Sequence, residues 1–194
     1  MRIIFIRHGR TASNTQHALD TGFPGAPLDE VGQEQAQALV DRLKDEPIEA
    51  VYTSDILRAR QTGTPLAEAK DVPLTTNAGL REVYAGDWDM DVEWEDFINV
   101  TIEWEHDLTA SMPGGDSGES FFARYTKAVN EIAATGHECV AIVSHGAAMR
   151  VWLPWAAGLH VDDEAYWVLH NTDIVTLEGT PGAWKALTWG SRVL

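Results

Sequence analysis

The chain has 194 residues, 44% of them hydrophobic, which is enough for one well-buried core and short for two domains. Fourteen basic residues against thirty acidic ones give a formal charge of −16, a field that repels nucleic acid and anionic lipid headgroups and argues against both as partners. The one cysteine, Cys139, sits in an apolar run and reads as a small core residue, so no intramolecular disulfide forms; no apolar run reaches signal-peptide or membrane-spanning length, and a soluble cytoplasmic protein is expected.

The chain opens on Ile3-Ile4-Phe5-Ile6, a β-branched and aromatic run that ends abruptly at Arg7-His8-Gly9. That pattern predicts a buried strand delivering a charged turn to the end of a sheet, the place where open α/β sheets hold their ligands. A cation, an imidazole and a glycine in succession suit an anionic group such as phosphate. A surface His beside an Arg is nevertheless the commoner case for an arbitrary Arg-His-Gly, so the tripeptide needs partners from elsewhere.

From Arg10 to Ala26 the chain has loop composition, and a loop this long in a compact domain is often functional. Asp29 reads as the N-cap of a helix with Ala36, Leu39, Val40 and Leu43 on its apolar stripe, ending near Pro47. A second strand is expected at Glu49 to Thr53. Ser54 or Asp55 then caps a helix carrying Arg58, Arg60, Gln61 and Thr62 before Pro65 disturbs it. Val72 to Thr76 reads as a third strand, leading through Leu80 to Arg81-Glu82.

Composition changes after Arg81: no Lys or Arg occurs before Arg124, while acids recur beside Trp88, Trp94 and Trp104. Residues 84–124 read as a cap insertion within a single domain of residues 1–194, partly helical between about Val92 and Glu105. The plain reading of this stretch is a solvated acidic helix with its tryptophans turned to the core. Asp116 with Glu119 fits a capping box for a helix whose apolar face is Phe122, Tyr125, Ala128, Val129 and Ile132, ended by Gly136.

Val140 to Val143 followed by Ser144-His145-Gly146 repeats the strand-to-turn logic of the N-terminus. Asp173 to Leu177 and Ala183 to Trp189 predict two further strands joined by Gly179-Thr180-Pro181-Gly182. Strands and helices alternate, so the expected fold is a three-layer α/β/α sandwich with a largely parallel central sheet and the small cap. His8 and His145 would then share a sheet edge, with Arg58 and Glu82 on the same rim. Two imidazoles, two guanidiniums and a carboxylate meet the needs of phosphoryl transfer to nitrogen: a nucleophile, a cationic clamp and a proton donor.

Read together and in order, Arg7-His8-Gly9-Arg10-Thr11 with Asn14, Pro27-Leu28, Gly32 with Gln35-Ala36, Thr53-Ser54-Asp55 with Arg58-Ala59 and Gln61-Thr62, Leu80-Arg81-Glu82 with Gly86 and Trp88, Gly114-Gly115 with Ser117, and Val143-Ser144-His145-Gly146 resemble the histidine phosphatase superfamily, the phosphoglycerate-mutase-like group with an Arg-His-Gly signature. The resemblance covers nearly the whole chain. It implies a phosphoric monoester hydrolase of the histidine acid type, with His8 as the nucleophile that becomes phosphohistidine. It also implies Arg7, Arg58 and His145 as the grip on the phosphoryl group, Asn14 as a neutral donor, Gly146 beside them, and Glu82 as acid and then base. Thr11 and Arg10 would line the substrate pocket, although Arg10 reads equally well as a solvated loop charge. His17, His106, His137, His160 and His170 read as structural or exposed.

The implied partner is a small-molecule phosphate ester, with no cofactor and no metal, since the acids show no metal-ligand spacing with histidine; a homodimer is allowed. Alternatives are a phosphoglycerate-type mutase and, less favoured, a catalytically idle binding module. Two stretches depart from the family pattern, His17 to Gly25 and Asp89-Met90 after Trp88, and both would remodel the pocket wall.

Overall fold

A computed structural model describes residues 1–159 and 168–194. The first strand, β1 (Arg2–Arg7), lies parallel to β4 (Cys139–Ser144), which pairs in parallel with β2 (Ala50–Thr53), and β2 pairs likewise with β3 (Leu74–Thr76). On the other side of β1 run β5 (Ile174–Thr180), β6 (Ala183–Trp189) and β7 (Arg192–Val193), all antiparallel, so the sheet order is β3-β2-β4-β1-β5-β6-β7.

The helices are α1 (Ala12–Thr15), α2 (Glu30–Arg42), α3 (Leu57–Lys70), α4 (Glu95–Glu103), α5 (Gly118–Ala133) and α6 (Gly146–Ala157). The period-2 side-chain alternation of β1 separates two cores. Ile4 and Ile6 pack with Leu39 of α2 and Ala59 and Leu66 of α3, while Ile3 and Phe5 pack with Tyr125 of α5 and Trp152 of α6. Each such buried aliphatic or aromatic side chain contributes roughly 1.5–3 kcal/mol, and because both faces are covered β2 and β4 are buried along their whole length, while the edge strand β3 exposes Thr75 and Thr76. The three-layer sandwich is thus the observed architecture.

Several local expectations are corrected. The helix α3 has Ile56 at its N-cap with no side-chain cap, because Ser54 Oγ accepts from Ile56 N (3.2 Å) one turn early and Asp55 is bound to Arg81. Pro65 does not interrupt α3, whose inner face of Leu66 and Ala67 is buried and outweighs the one hydrogen bond that proline removes. The helix α5 is capped by Ser117 in a reciprocal pair with Ser120 rather than by Asp116 with Glu119. The Asp116 carboxylate instead takes Arg124 Nη2 at 2.6 Å and Tyr84 N at 2.9 Å. Phe121, not Phe122, is the fully buried ring of that face. The helix capped by Asp29 stops at Arg42, and β7 has no counterpart among the expected strands. Among the described residues, no helix is long and apolar enough to cross a membrane.

Candidate active site

Register creates the centre of the site. Arg7 lies opposite Ser144 in the β1–β4 pair, so the next residue of each chain segment, His8 and His145, leaves the sheet beside the other with ring centroids 5.3 Å apart. The end of β4 is held by Tyr125 Oη donating to Ser144 Oγ (2.9 Å), which donates to Leu80 O (3.0 Å). Gly9 and Gly146 are there for close approach. A Cβ on Gly9 would come within 2.7 Å of Gly32 O, and one on Gly146 within 3.2 Å of Arg7 Nε, where the guanidinium crosses the start of α6.

The hydrogen bonds of His8 define its tautomer. Nδ1 lies 2.7 Å from Gly9 O, which can only accept, so Nδ1 carries the hydrogen. Nε2 is the bare nitrogen and accepts from Arg58 Nε at 3.1 Å. Burial first, then the Arg58 and Arg7 charges, hold the His8 imidazole well below its ordinary value. Burial does the same to His145, aided by Arg58 and by His8. Both rings are therefore neutral near pH 7, and a neutral buried imidazole with an unprotonated Nε2 is a competent nucleophile once the Arg58 bond to it is released.

The cations are fixed from below. Arg58 is 2% exposed, donates Nη2 to Asp20 O at 2.6 Å, and keeps Nη1 3.4 Å from Asp20 Oδ1. Asp20 Oδ2 is held in turn by Ser13 Oγ (2.8 Å) and Ala26 N (3.0 Å). Arg7 donates Nη1 to Leu169 O, and burial with the neighbouring Arg150 charge brings its guanidinium down to about 10, still charged at neutral pH. Among the described residues, Arg7 Nε, Arg58 Nη1 and both ring nitrogens of His145 are buried without a protein hydrogen-bond partner. Such groups cost about 1–3 kcal/mol each and are retained where a ligand satisfies them.

Glu82 meets this cluster from the other side. Its Oε1 accepts from Ala148 N (2.6 Å) and Val83 N (2.9 Å), and its Oε2 from Ala147 N (3.1 Å), which anchors the carboxylate on the N-terminus of α6. Among the described residues no three His, Cys, Asp or Glu side chains are grouped as a metal ion requires.

Arg7, His8, Arg58 and Glu82 line one cleft of about 410 Å³, and His145 is not among its lining residues. Its lining includes Arg7, His8, Arg58, Glu82 and Gly146, with Thr11 at the N-cap of α1 and Asn14 within that helix. His145 is fully buried behind His8. Arg10 is not among the lining residues; its Nε is paired with Asp29 Oδ2 at 2.8 Å. His17 and His170 are exposed, as expected, and also line the cleft, whereas His106 is not among its lining residues and His137 Nδ1 faces Glu49 at 3.1 Å. His160 lies outside the described residues.

Gln35 and Trp94, both named from the sequence, also line the cleft, as do Arg150, Asn171 and Phe97, which were not. Only Arg150 carried a usable signal, four residues after Gly146 on the same face of α6, with Nε donating to Gly146 O at 3.2 Å. The two departures from the family pattern meet each other here. Asp89 Oδ1 accepts from Thr21 N (2.8 Å), Thr21 Oγ1 (2.7 Å) and Gly22 N (3.1 Å), and Trp94 Nε1 donates to His17 O (2.7 Å). The wall they build presents Ala18, Leu19, Trp94 and Phe97, and none of the acids of residues 84–124 lines the cleft.

The two neutral histidines make stability depend on pH in a definite direction. The unfolded chain binds protons on them below about pH 6.5 and the folded chain does not, so their contribution is whole above that value and is lost as pH falls. Each proton adds a slope of about 1.4 kcal/mol per pH unit. Urea unfolding of wild type between pH 6.5 and 5 should therefore weaken more steeply than that of His8→Gln, which keeps one of the two. Parallel curves for the two proteins would contradict the assignment.

The model of the histidine phosphatase superfamily (branch 1) matches residues 3–192. The adenosylcobalamin/alpha-ribazole phosphatase of Salmonella typhimurium is 33% identical over 152 residues, 75% of this chain and 74% of that protein. A probable phosphoglycerate mutase of Proteus mirabilis is 29% identical over 97% of this chain and 90% of that protein. The structure of mycobacterial glucosyl-3-phosphoglycerate phosphatase in complex with VO3 superposes with a TM-score of 0.81 at 26% identity, covering 98% of this chain and 99% of that one. With the fold, the two histidine turns and a match over nearly its full length in agreement, the chain belongs to branch 1 of the histidine phosphatase superfamily.

Proposed function

We propose that the protein is a metal-independent phosphomonoesterase that hydrolyses a small-molecule phosphate ester through a phosphohistidine at His8. The observation that carries this reading is the bare, neutral Nε2 of His8 within a buried set of Arg7, Arg58 and His145, with the Glu82 carboxylate on the same cleft. In the first step Nε2 attacks phosphorus, the bond to the ester oxygen breaks, and that oxygen takes a proton from Glu82. In the second, Glu82 removes a proton from water, the water oxygen attacks phosphorus and the P–N bond breaks. Arg58 Nε must leave Nε2 as phosphate arrives, turning its donors to the phosphoryl oxygens with Arg7, His145 and the Asn14 amino group. Once turned, the Arg58 charge with that of Arg7 stabilises the negative charge on the phosphoryl oxygens in the transition state.

The acid-type label is the name of a different family, and the match to branch 1 supports only the broader reading of a histidine-phosphatase-superfamily phosphatase. A mutase must also hold a carboxylate and a second phosphate. The wall contributed by residues 84–124 offers Trp94 and Phe97 and no cation, and Arg124 is spent on Gly79 O, Arg81 O, Glu82 O and Asp116. Hydrolysis of monophosphates with a neutral or apolar body is therefore favoured.

The test is inorganic phosphate release from a panel of phosphate esters in the presence of EDTA. Release unaffected by chelation is expected, with neutral-bodied monophosphates favoured over bisphosphorylated sugars by about tenfold or more in kcat/KM. Isomerisation of 3-phosphoglycerate without net release would overturn the hydrolytic reading.

A further inference from the structure

The loop leading into β5 sends one carboxamide into the cleft. Asn171 Nδ2 donates to His8 O at 3.0 Å and to Asn14 Oδ1 at 3.2 Å, and Asn171 lines the cleft beside both residues. The backbone settles which way each amide points. His8 O can only accept, so the nitrogen of Asn171 faces it. Thr11 N–H can only donate, and it reaches Asn14 Oδ1 at 3.1 Å, so the oxygen of Asn14 faces Thr11 and Asn171 together. Asn14 Oδ1 is thereby held by two donors, and the amino half of its carboxamide is the half left for a ligand.

The same turn is fastened at its neighbours. Thr172 N donates to Arg7 O and Arg7 N to Asp173 O, each at 3.0 Å, and Arg7 Nη1 reaches Leu169 O. The segment 169–173 thus clasps the Arg7-His8 turn from the side opposite β4, with Asn171 as the one side chain bridging the nucleophile's main chain and the Asn14 amide.

We propose that Asn171 is a positioning residue for phosphoryl binding: by ordering the Asn14 carboxamide and pinning the carbonyl of His8, it presents the Asn14 amino group to the phosphoryl oxygens. This rests on the phosphomonoesterase reading above. Without Asn171 the Asn14 side chain keeps only the Thr11 bond and rotates more freely, so its amino group is presented for a fraction of the time.

The experiment is a double-mutant cycle on orthovanadate inhibition of p-nitrophenyl phosphate hydrolysis, with Asn14→Ala, Asn171→Ala and the double variant. A hydrogen bond to a charged group corresponds to roughly a tenfold or greater change in affinity. Each single variant should lose about that factor in vanadate affinity, and Asn171→Ala should lose several-fold less when Asn14 is already Ala. Asn171→Asp keeps the volume but turns acceptors and negative charge toward His8 O and Asn14 Oδ1, and should lose at least as much affinity as Asn171→Ala. Should Asn171→Ala fail to fold, Asn171→Asp serves in the same cycle. Additive losses, or vanadate affinity unchanged while only the thermal midpoint falls, would overturn the proposal. Wild type that neither turns over nor binds vanadate would sink the phosphomonoesterase reading and this inference with it.

Discussion

His8→Ala should lose turnover by a factor of about 10⁴–10⁶, the range seen when a covalent nucleophile is deleted from a site that otherwise stays assembled. The residue is 3% exposed and touches the surrounding structure through Gly9 O and Arg58 Nε. Removing it deletes the bare nitrogen and leaves the two arginines in place. Wild type quenched in acid during turnover of a labelled ester should yield no stable label, while a quench in base should retain label as phosphohistidine at His8. His8→Gln fills most of the volume and can still accept from Arg58, so it separates chemistry from packing: it should fold like wild type and turn over no better than His8→Ala. Retention of more than about one-hundredth of the wild-type kcat by both variants would mean that the nucleophile lies elsewhere.

The residues legible from sequence were those attached to a local pattern. His8 and His145 each terminate an apolar strand, and the parallel pairing of those strands did the rest, placing one ring 5.3 Å from the other. Arg58 and Glu82 likewise follow recognisable elements. Asn171 had no such signal, since it reaches the nucleophile across a sequence separation of 163 residues from an otherwise ordinary loop. Trp94 was visible as one of three tryptophans in an acidic stretch, but sequence could not say which of them faces the cleft. That depends on the contacts joining residues 17–22 to 89–94, such as Leu19 N with Asp91 O and Met90 N with Leu19 O, each 2.8 Å. The error at Asp116 has a related cause. Asp116 and Ser117 are both good N-caps by type, and the choice between them was made by Arg124, which takes the Asp116 carboxylate and leaves Ser117 to cap α5.

Glu82→Gln separates the two halves of the reaction according to the leaving group. The substitution preserves size and leaves one oxygen to accept from the α6 amides that hold Glu82 at 2.6–3.1 Å, yet it cannot give up or take the proton. For alkyl phosphates, whose departing alkoxide needs that proton, kcat/KM should fall by about 10²–10⁴. For p-nitrophenyl phosphate, whose phenolate departs unaided, kcat/KM should fall by less than about tenfold, because it reports only the first phosphoryl transfer. The second step still needs a base for water, so kcat with the aryl ester should drop and a burst of nitrophenolate close to one per site should precede slow turnover. Cation placement alone cannot generate that pattern, because Arg7 and Arg58 stabilise the phosphoryl oxygens whichever group departs. Equal losses in kcat/KM for alkyl and aryl esters would remove Glu82 from proton transfer and confine it to capping α6.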